Sequence, residues 1–279
     1  MKQFIRKARK YILKKAFLDR TDAKYSRIPA VMEALVPLRT NFLLITIVFN
    51  DAELITLQHR SLKKYLRDDF DYCVVDDSSD EGQANAIREF CATQGVSYVH
   101  LPAVNPGMDG SMCHGFALNW TFRNLVRRLK PEMFGFIDPD IILAGPESFL
   151  SPWQGKQFWG LKSPSQSPRL TAEEKEKHWR LWPGFCFFRR DFYENKELNF
   201  LPVKNIDTGG RNLGLFKDVD VSHLMEYGAS VKEERVSSEG PELVQRFGNI
   251  VHLVGGVSLK GANREGIDRK REYAIRLIN

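Results

Sequence analysis

The sequence is poor in cysteine: 4 among 279 residues, at 73, 91, 113 and 186, with no C-x-x-C pair. Cys73 and Cys186 lie in apolar runs, where reduced cysteine acts as a small hydrophobe, as suits a reducing compartment. Long hydrophobic runs are missing too. None reaches the ~18 residues of a spanning helix, and no signal-peptide core is visible. Internal repeats and long low-complexity segments are absent. Basic charge is also scarce outside one segment. The net charge is +6, but residues 1–20 hold eight basic residues against the single acid Asp19, and the remainder carries 33 basic and 34 acidic residues. A nucleic-acid-binding domain would hold the basic excess in its own body, so no nucleic acid partner is expected.

What remains is globular: 43% hydrophobic and 27% charged residues. Residues 1–20 read as a basic amphipathic helix, with Phe4, Ile5, Ala8, Tyr11, Ile12, Ala16 and Leu18 near helical spacing. Such a helix suits an anionic membrane surface, or it is a solvated terminal helix. Residues 21–40, with Pro29 and Pro37, read as a connector, and 41–279 as a single domain. The expected location is cytoplasmic, peripheral on the inner membrane face if the helix binds there.

From residue 41 strands and helices alternate. "NFLLITIVF" (41–49) is a continuous β-branched run, as in a strand buried on both faces. A helix is expected over 51–66, a strand over 72–77, and a helix over 81–95 with Gly95 as C-cap. A third strand is expected at 96–101, a helix over 111–129 with Ser111 as N-cap, and a fourth strand at 133–138. This order predicts an α/β fold with a mostly parallel sheet flanked by helices. The second half is less regular. Strands are expected at 156–161, 183–190 and 249–255, with a long loop from Ser163 to Arg180 and a terminal helix over 263–279.

Open α/β sheets bind ligands at the carboxyl ends of their strands. Here those ends read Phe49-Asn50-Asp51, Asp76-Asp77-Ser78-Ser79-Asp80 and Asp138-Pro139-Asp140. So many carboxylates at one edge call for a cation, and a hard divalent ion with oxygen ligands is the economical one. D-x-D occurs three times, at 69/71, 138/140 and 218/220. Only Asp138/Asp140 ends an apolar strand. The alternative for it is a turn whose carboxylates cap backbone N–H groups.

The succession "LLITIVFND", "YCVVDDSSDEG", "NPGMDGSMCHGFALNW", "MFGFIDPDIIL" resembles the GT-A glycosyltransferases, family-2-like members above all, over roughly residues 41–145. The resemblance implies a Rossmann-like GT-A sheet, with residues 41–145 as nucleotide-sugar half and 146–279 as an irregular acceptor half. It implies Asn50, Asp76 and Asp77 at the base and ribose, Asp138 at the ribose or metal, and Asp140 as main metal ligand. It implies Mn2+ or Mg2+ bridging to the diphosphate of a UDP- or GDP-sugar. His252, before Gly255 and Gly256, resembles the late histidine that serves as a further metal or diphosphate ligand; the alternative is a hydrogen-bonded core histidine. "DDSSDEG" departs from the fuller D-D-G-S-x-D.

The inverting members' general base is absent as an E-D pair. Asp207, in "NIDTGGRNLG", is the nearest acid, a base toward an acceptor hydroxyl or a helix N-cap. Arg189 and Arg190 are suited to phosphate or form a surface pair. Trp179 and Trp182 are candidates for sugar stacking, one of them for the core, and His114 for the pocket. The expected activity is metal-dependent, base-assisted inverting transfer of a sugar to a glycan or lipid-linked acceptor hydroxyl, as in surface polysaccharide or glycolipid synthesis. Two rivals are a nucleotidyltransferase making the nucleotide-sugar and a non-catalytic membrane-associated glycan-binding protein. The first would carry a Gly-rich basic loop after strand one, which "NDAELITLQHR" lacks.

Overall fold

The computed structural model describes residues 15–27, 31–34, 37–101, 110–153, 155–236, 242–255 and 264–279. Most of the segment 1–20 expected as a basic helix, residues 102–109 and Gly256 lie outside these residues. The protein has a mixed α/β fold. Its elements are helix α1 (15–25), β1 (Val31–Ala34), β2 (Phe42–Val48), α2 (Ala52–Tyr65), β3 (Asp71–Asp76), α3 (Glu81–Gln94), β4 (Ser97–His100) and α4 (Gly110–Thr121). A π-helical turn (Phe122–Val126) and α5 (Arg127–Leu129) continue α4. Then come β5 (Met133–Ile137), β6 (Ile141–Leu143), β7 (Phe158–Pro164), α6 (Ala172–Lys177), β8 (Trp179–Arg189) and α7 (Arg190–Tyr193). The last elements are a 3-10 turn (Gly210–Phe216), β9 (Met225–Glu226), α8 (Tyr227–Ser230), β10 (Lys232–Arg235), β11 (Leu243–Phe247), β12 (Ile250–His252) and α9 (Arg264–Ile278).

The main sheet runs β1-β4-β3-β2-β5-β8-β7-β9. Its β4-β3-β2-β5 centre is parallel, as the β/α alternation requires, while β1 and β8 join it antiparallel. All seven residues of β2 are buried. Leu43, Ile45 and Ile47 pack toward Phe116 and Trp120 of α4; Phe42, Leu44 and Val48 pack toward Ile55 of α2 and Ile87 of α3. Two-sided burial explains why this strand shows no polar alternation. Asp51 caps α2 by accepting from the Leu54 N–H (3.1 Å), and Asp80 caps α3 by accepting from the Gln83 N–H (2.9 Å). Gly95 ends α3 at φ 64°, a left-handed position that favours glycine. Two strand-end acids therefore serve as helix caps.

Three expectations change. Helix α4 starts at Gly110, so Ser111 lies within its first turn. The connector contains β1, which pairs with β4. The stretch from 163 to 180 is largely ordered: Ser163 pairs with Arg180 and Pro164 with Trp179, and the tip carries α6. A Thr171/Glu174 capping box starts α6, a T-x-x-E signal already present in the sequence.

A second, antiparallel sheet, β10-β11-β12-β6, lies beyond β5. It packs Ile142, Val244 and Val251 with Leu54 and Leu57 of α2 and Ala274 and Ile278 of α9. Arg271 ties α9 to α2 through Asp51 (2.5 Å) and Glu53 (2.6 Å). The chain passes from the first sheet to the second through Asp138-Pro139-Asp140, which joins β5 to β6.

Candidate functional site

This turn is held from both sheets and from α2. The Asp138 N–H donates to the Gly184 carbonyl (2.9 Å), and the Leu253 N–H donates to the Asp140 carbonyl (2.9 Å). Gln58 Nε2 donates to the carbonyls of Asp138 (2.6 Å) and Ile141 (2.9 Å), while its Oε1 accepts from the Tyr72 hydroxyl (2.6 Å). Buried backbone groups need such partners, and α2 supplies them through one amide. The second sheet brings in a residue distant in sequence: β12 pairs with β6 so that His252 stands opposite Ile141.

The result is two carboxylate–imidazole approaches. His252 Nε2 lies 3.5 Å from Asp140 Oδ1, and His114 Nε2, from α4, lies 3.7 Å from Asp138 Oδ1. Asp140 is buried at 4% exposure. Ligands each about 2.1 Å from one divalent ion stand about 3–4 Å apart, so the Asp140–His252 pair fits. Gln245 Oε1 faces His252 Nδ1 at 3.0 Å, which places the proton on Nδ1 and the lone pair of neutral His252 on Nε2, toward Asp140. Among the described residues no group of three or more His, Cys, Asp or Glu is assembled to hold a metal ion. An ion that takes phosphate oxygens as further ligands needs only one or two protein carboxylates.

Burial raises the Asp138 carboxyl and outweighs the pull of His114, His252 and Arg180, with Asp140 adding to the rise. Burial alone would push His252 down; Asp140, by charge and hydrogen bond, and then Asp138 reverse this, and its pKa is raised. Lys270 on α9 is lowered by burial against the opposing effect of Asp140 and Glu242. Its Nζ donates to the Val254 carbonyl (2.6 Å).

Strand β8 closes the other side. Gly160 pairs with Cys186 but Lys162 with Leu181, so β8 bulges across Trp182-Pro183-Gly184-Phe185. Pro183, which has no N–H, sits where the ladder is broken. The bulge sets the Trp182 ring 4.8 Å from the His252 ring. Trp179 instead stacks on Phe216 in the core at 5.4 Å, so the two tryptophans divide their roles. Arg180, between them, pairs with Asp207 at 3.0 Å and donates to the Thr208 carbonyl at 3.0 Å. The Asp207 Oδ1 accepts from the Thr208 N–H (2.8 Å). Burial would raise Asp207, but Arg180, Ser111 and Thr208 hold it below the usual carboxylate range.

The carboxyl end of β3 is built differently. Asp76 is fully buried, with Oδ1 accepting from the Ser78 N–H (2.9 Å) and Oδ2 from the Tyr98 hydroxyl (2.7 Å). Asn50, at φ 53°, accepts from the N–H groups of Ser79 (3.0 Å) and Asp80 (2.9 Å). Both residues, expected at the base and ribose, brace the loop Ser78–Asp80. Asp77 accepts from the Tyr25 hydroxyl at 3.1 Å. Beside them is a cavity of about 230 Å³ lined by Ser78, Ser79, Glu81, Ala84, Asn85, Arg88 and His100.

Arg189 and Arg190 are not part of this assembly. β8 runs antiparallel to β5, so Ile137 pairs with Phe185 and Met133 with Arg189. The two arginines therefore stand at the amino end of β5, where Arg189 pairs with Asp191 (2.6 Å) and Arg190 donates to the Lys130 carbonyl. The residues that sequence reasoning missed are Arg180, Gly184, Gln245 and Lys270 at the turn and Arg88 and His100 at the cavity. The Pro-Gly pair at 183–184 inside an apolar run was the one local signal, a mark of a bulge.

No protein-family model matches the chain, and no curated protein matches it. Among solved structures, TarS of S. aureus is similar at 19% identity and a TM-score of 0.38, over 57% of this chain and 30% of that one. A shorter TarS structure, in complex with UDP-GlcNAc, is similar at 19% identity and a TM-score of 0.37, over 57% of this chain and 48% of that one. The mannosyltransferase PcManGT from Pyrobaculum calidifontis, in complex with GDP-Man and Mn2+, is similar at 16% identity and a TM-score of 0.44, over 81% of this chain and 65% of that one. The chain thus spans less than two thirds of the length of each of these structures.

Proposed function

We propose that the protein is a metal-dependent glycosyltransferase of the GT-A kind, moving a sugar from a UDP- or GDP-sugar to an acceptor hydroxyl. One observation carries this reading: buried Asp140 faces the Nε2 of His252 in a turn at the carboxyl end of the central strand β5. A buried carboxylate with an imidazole oriented toward it is chemistry for a cation.

Asp140 and His252 would hold Mn2+ or Mg2+, with Asp138 beside them at the ribose or metal, and the ion when bound supplies positive charge against a departing diphosphate. Lys270 adds positive charge on the same side, and Arg180 offsets the charge of Asp207. Asp77 and the neighbouring cavity face the nucleoside, on a loop braced by Asp76 and Asn50. Asp207 takes the proton of the acceptor hydroxyl as its oxygen bonds the anomeric carbon and the bond to the diphosphate breaks, an inverting displacement. Trp182 walls the sugar side.

The acceptor is a glycan or lipid-linked glycan, reached at an anionic membrane surface through the basic residues of the N-terminal segment. Among the described residues no helix is long and apolar enough to cross a membrane.

The test is thermal stabilisation by UDP, GDP and their sugars with and without Mn2+. A Mn2+-dependent rise in Tm, lost in Asp140→Ala, is expected. No response to any diphosphate nucleotide would sink the proposal. Removing residues 1–14, which leaves α1 in place, should release the protein from anionic vesicles.

A further inference from the structure

Helix α1 precedes the sheet in the chain, yet it is built into the domain. Leu18 and Tyr25 belong to the main core, and the Tyr25 ring lies 5.9 Å from that of Phe116. Asp22 accepts from Asn119 Nδ2 (2.8 Å) and Arg123 Nη1 (2.7 Å). Ser26 accepts from Arg123 Nη1 at its hydroxyl (2.7 Å) and from Asn124 Nδ2 at its carbonyl (3.0 Å). Arg211 pairs with Asp19 at 2.5 Å. Arg123 and Asn124 are successive residues of the π-helical turn, and both reach α1 or its C-terminal end.

This clamp ends at the nucleotide edge. Tyr25 is 5% exposed, and its hydroxyl donates to Asp77 Oδ1 at 3.1 Å. Burial, then the charge and hydrogen bond of Asp77, push the phenol far above its ordinary value, so it remains a donor. The Asp77 N–H donates to the Val48 carbonyl (2.9 Å), which fixes its backbone against β2.

We infer that Tyr25 is a positioning residue for the nucleotide site: α1 carries its phenol to the end of β3 and fixes the Asp77 carboxylate that meets the nucleoside. This rests on the proposed reading of Asp77 as a nucleotide contact. A phenol bonded to a carboxylate limits its rotation, so the orientation cost is met before a ligand arrives. The N-terminal segment is then part of the donor site as well as a terminal arm.

The experiment is calorimetric titration of UDP and of GDP in the presence of Mn2+ into the full chain, Tyr25→Phe, Asp77→Asn and the double variant. Tyr25→Phe keeps the ring and removes the donor. A charge-assisted hydrogen bond of this kind supports a loss of roughly tenfold in affinity. The double variant should bind about as weakly as Asp77→Asn alone, because Tyr25 acts through Asp77. The Tm without nucleotide reports folding. A folded Tyr25→Phe protein with unchanged or tighter affinity overturns the inference, as do losses that simply multiply in the double variant. Failure of the full chain itself to bind either nucleotide removes the underlying functional reading and the inference with it.

Discussion

Gly184 stands so close to Asp138 that a β-carbon added to it would lie 2.2 Å from Asp138 Oδ2 and 2.3 Å from Cζ2 of Trp182. Both distances are far inside van der Waals contact. The β8 bulge therefore shapes the site through what it leaves out. Gly184→Ala must displace the carboxylate, the indole or both. Overpacking of this kind costs about 1–3 kcal/mol, but the larger effect should fall on function. We expect a folded protein with lowered Tm and no Mn2+-dependent response to nucleotide. Wild-type metal response in this variant would show that the carboxylate position is not needed.

His252 gives the metal-free protein a defined pH dependence. Asp140 and Asp138 raise it above its unfolded value of about 6.5 against the effect of burial. The pairing therefore stabilises fully below about pH 6.5 and is lost as pH rises through the raised folded value. In chelator, this contribution to Tm should decline over that window, and His252→Gln should remove the decline. A metal ligand must be neutral, so Mn2+ binding should weaken as pH falls through the same window and release a proton. Thermal melts and proton release in two buffers check both signs.

Asp207 is held ionised by Arg180 and by backbone contacts below the usual carboxylate range. Asp207→Asn should lower kcat by about 10²–10⁴, the usual worth of general base catalysis, with nucleotide affinity nearly unchanged. Its low pKa places the acid limb of the rate profile well below neutrality. An equal loss in binding and turnover would assign the residue to ligand positioning instead.

Arg189→Ala offers the contrast. The side chain lies at the amino end of β5, beside Asp191. Its removal should shift stability by no more than about 0.5 kcal/mol and leave nucleotide affinity unchanged. A tenfold loss of affinity would place a ligand at the wrong end of the sheet.

What the sequence made legible was what depends on near neighbours. The unbroken apolar run of β2 announced a strand buried on both faces, and Gly95 announced the end of α3. "FIDPD" placed two acids at a strand end for the same local reason. Pairings between distant residues were hidden from spacing alone, and only the resemblance brought His252 together with Asp140. β6 and β12 are three residues each, too short to carry a period, yet their register puts His252 at Asp140. The Arg180–Asp207 pair depends on β8 beginning at Trp179, inside a stretch whose charge and prolines suggested a loop. The resemblance puts Asp76 at the base and ribose; that Tyr98 and Ser78 each bond one of its oxygens is a tertiary fact that no local pattern shows.

The Asp138-Pro139-Asp140 turn is a seam between two sheets, and it sets an order of assembly. During synthesis Asp140 is made long before His252, and β6 has no partner until β12 emerges beside it. The parallel sheet can gather its strands while the Asp140–His252 pair is still incomplete. The proposed cation affinity should thus appear late, as a signal that the second sheet has docked, and a nascent chain halted before β12 should hold the acidic turn without its imidazole.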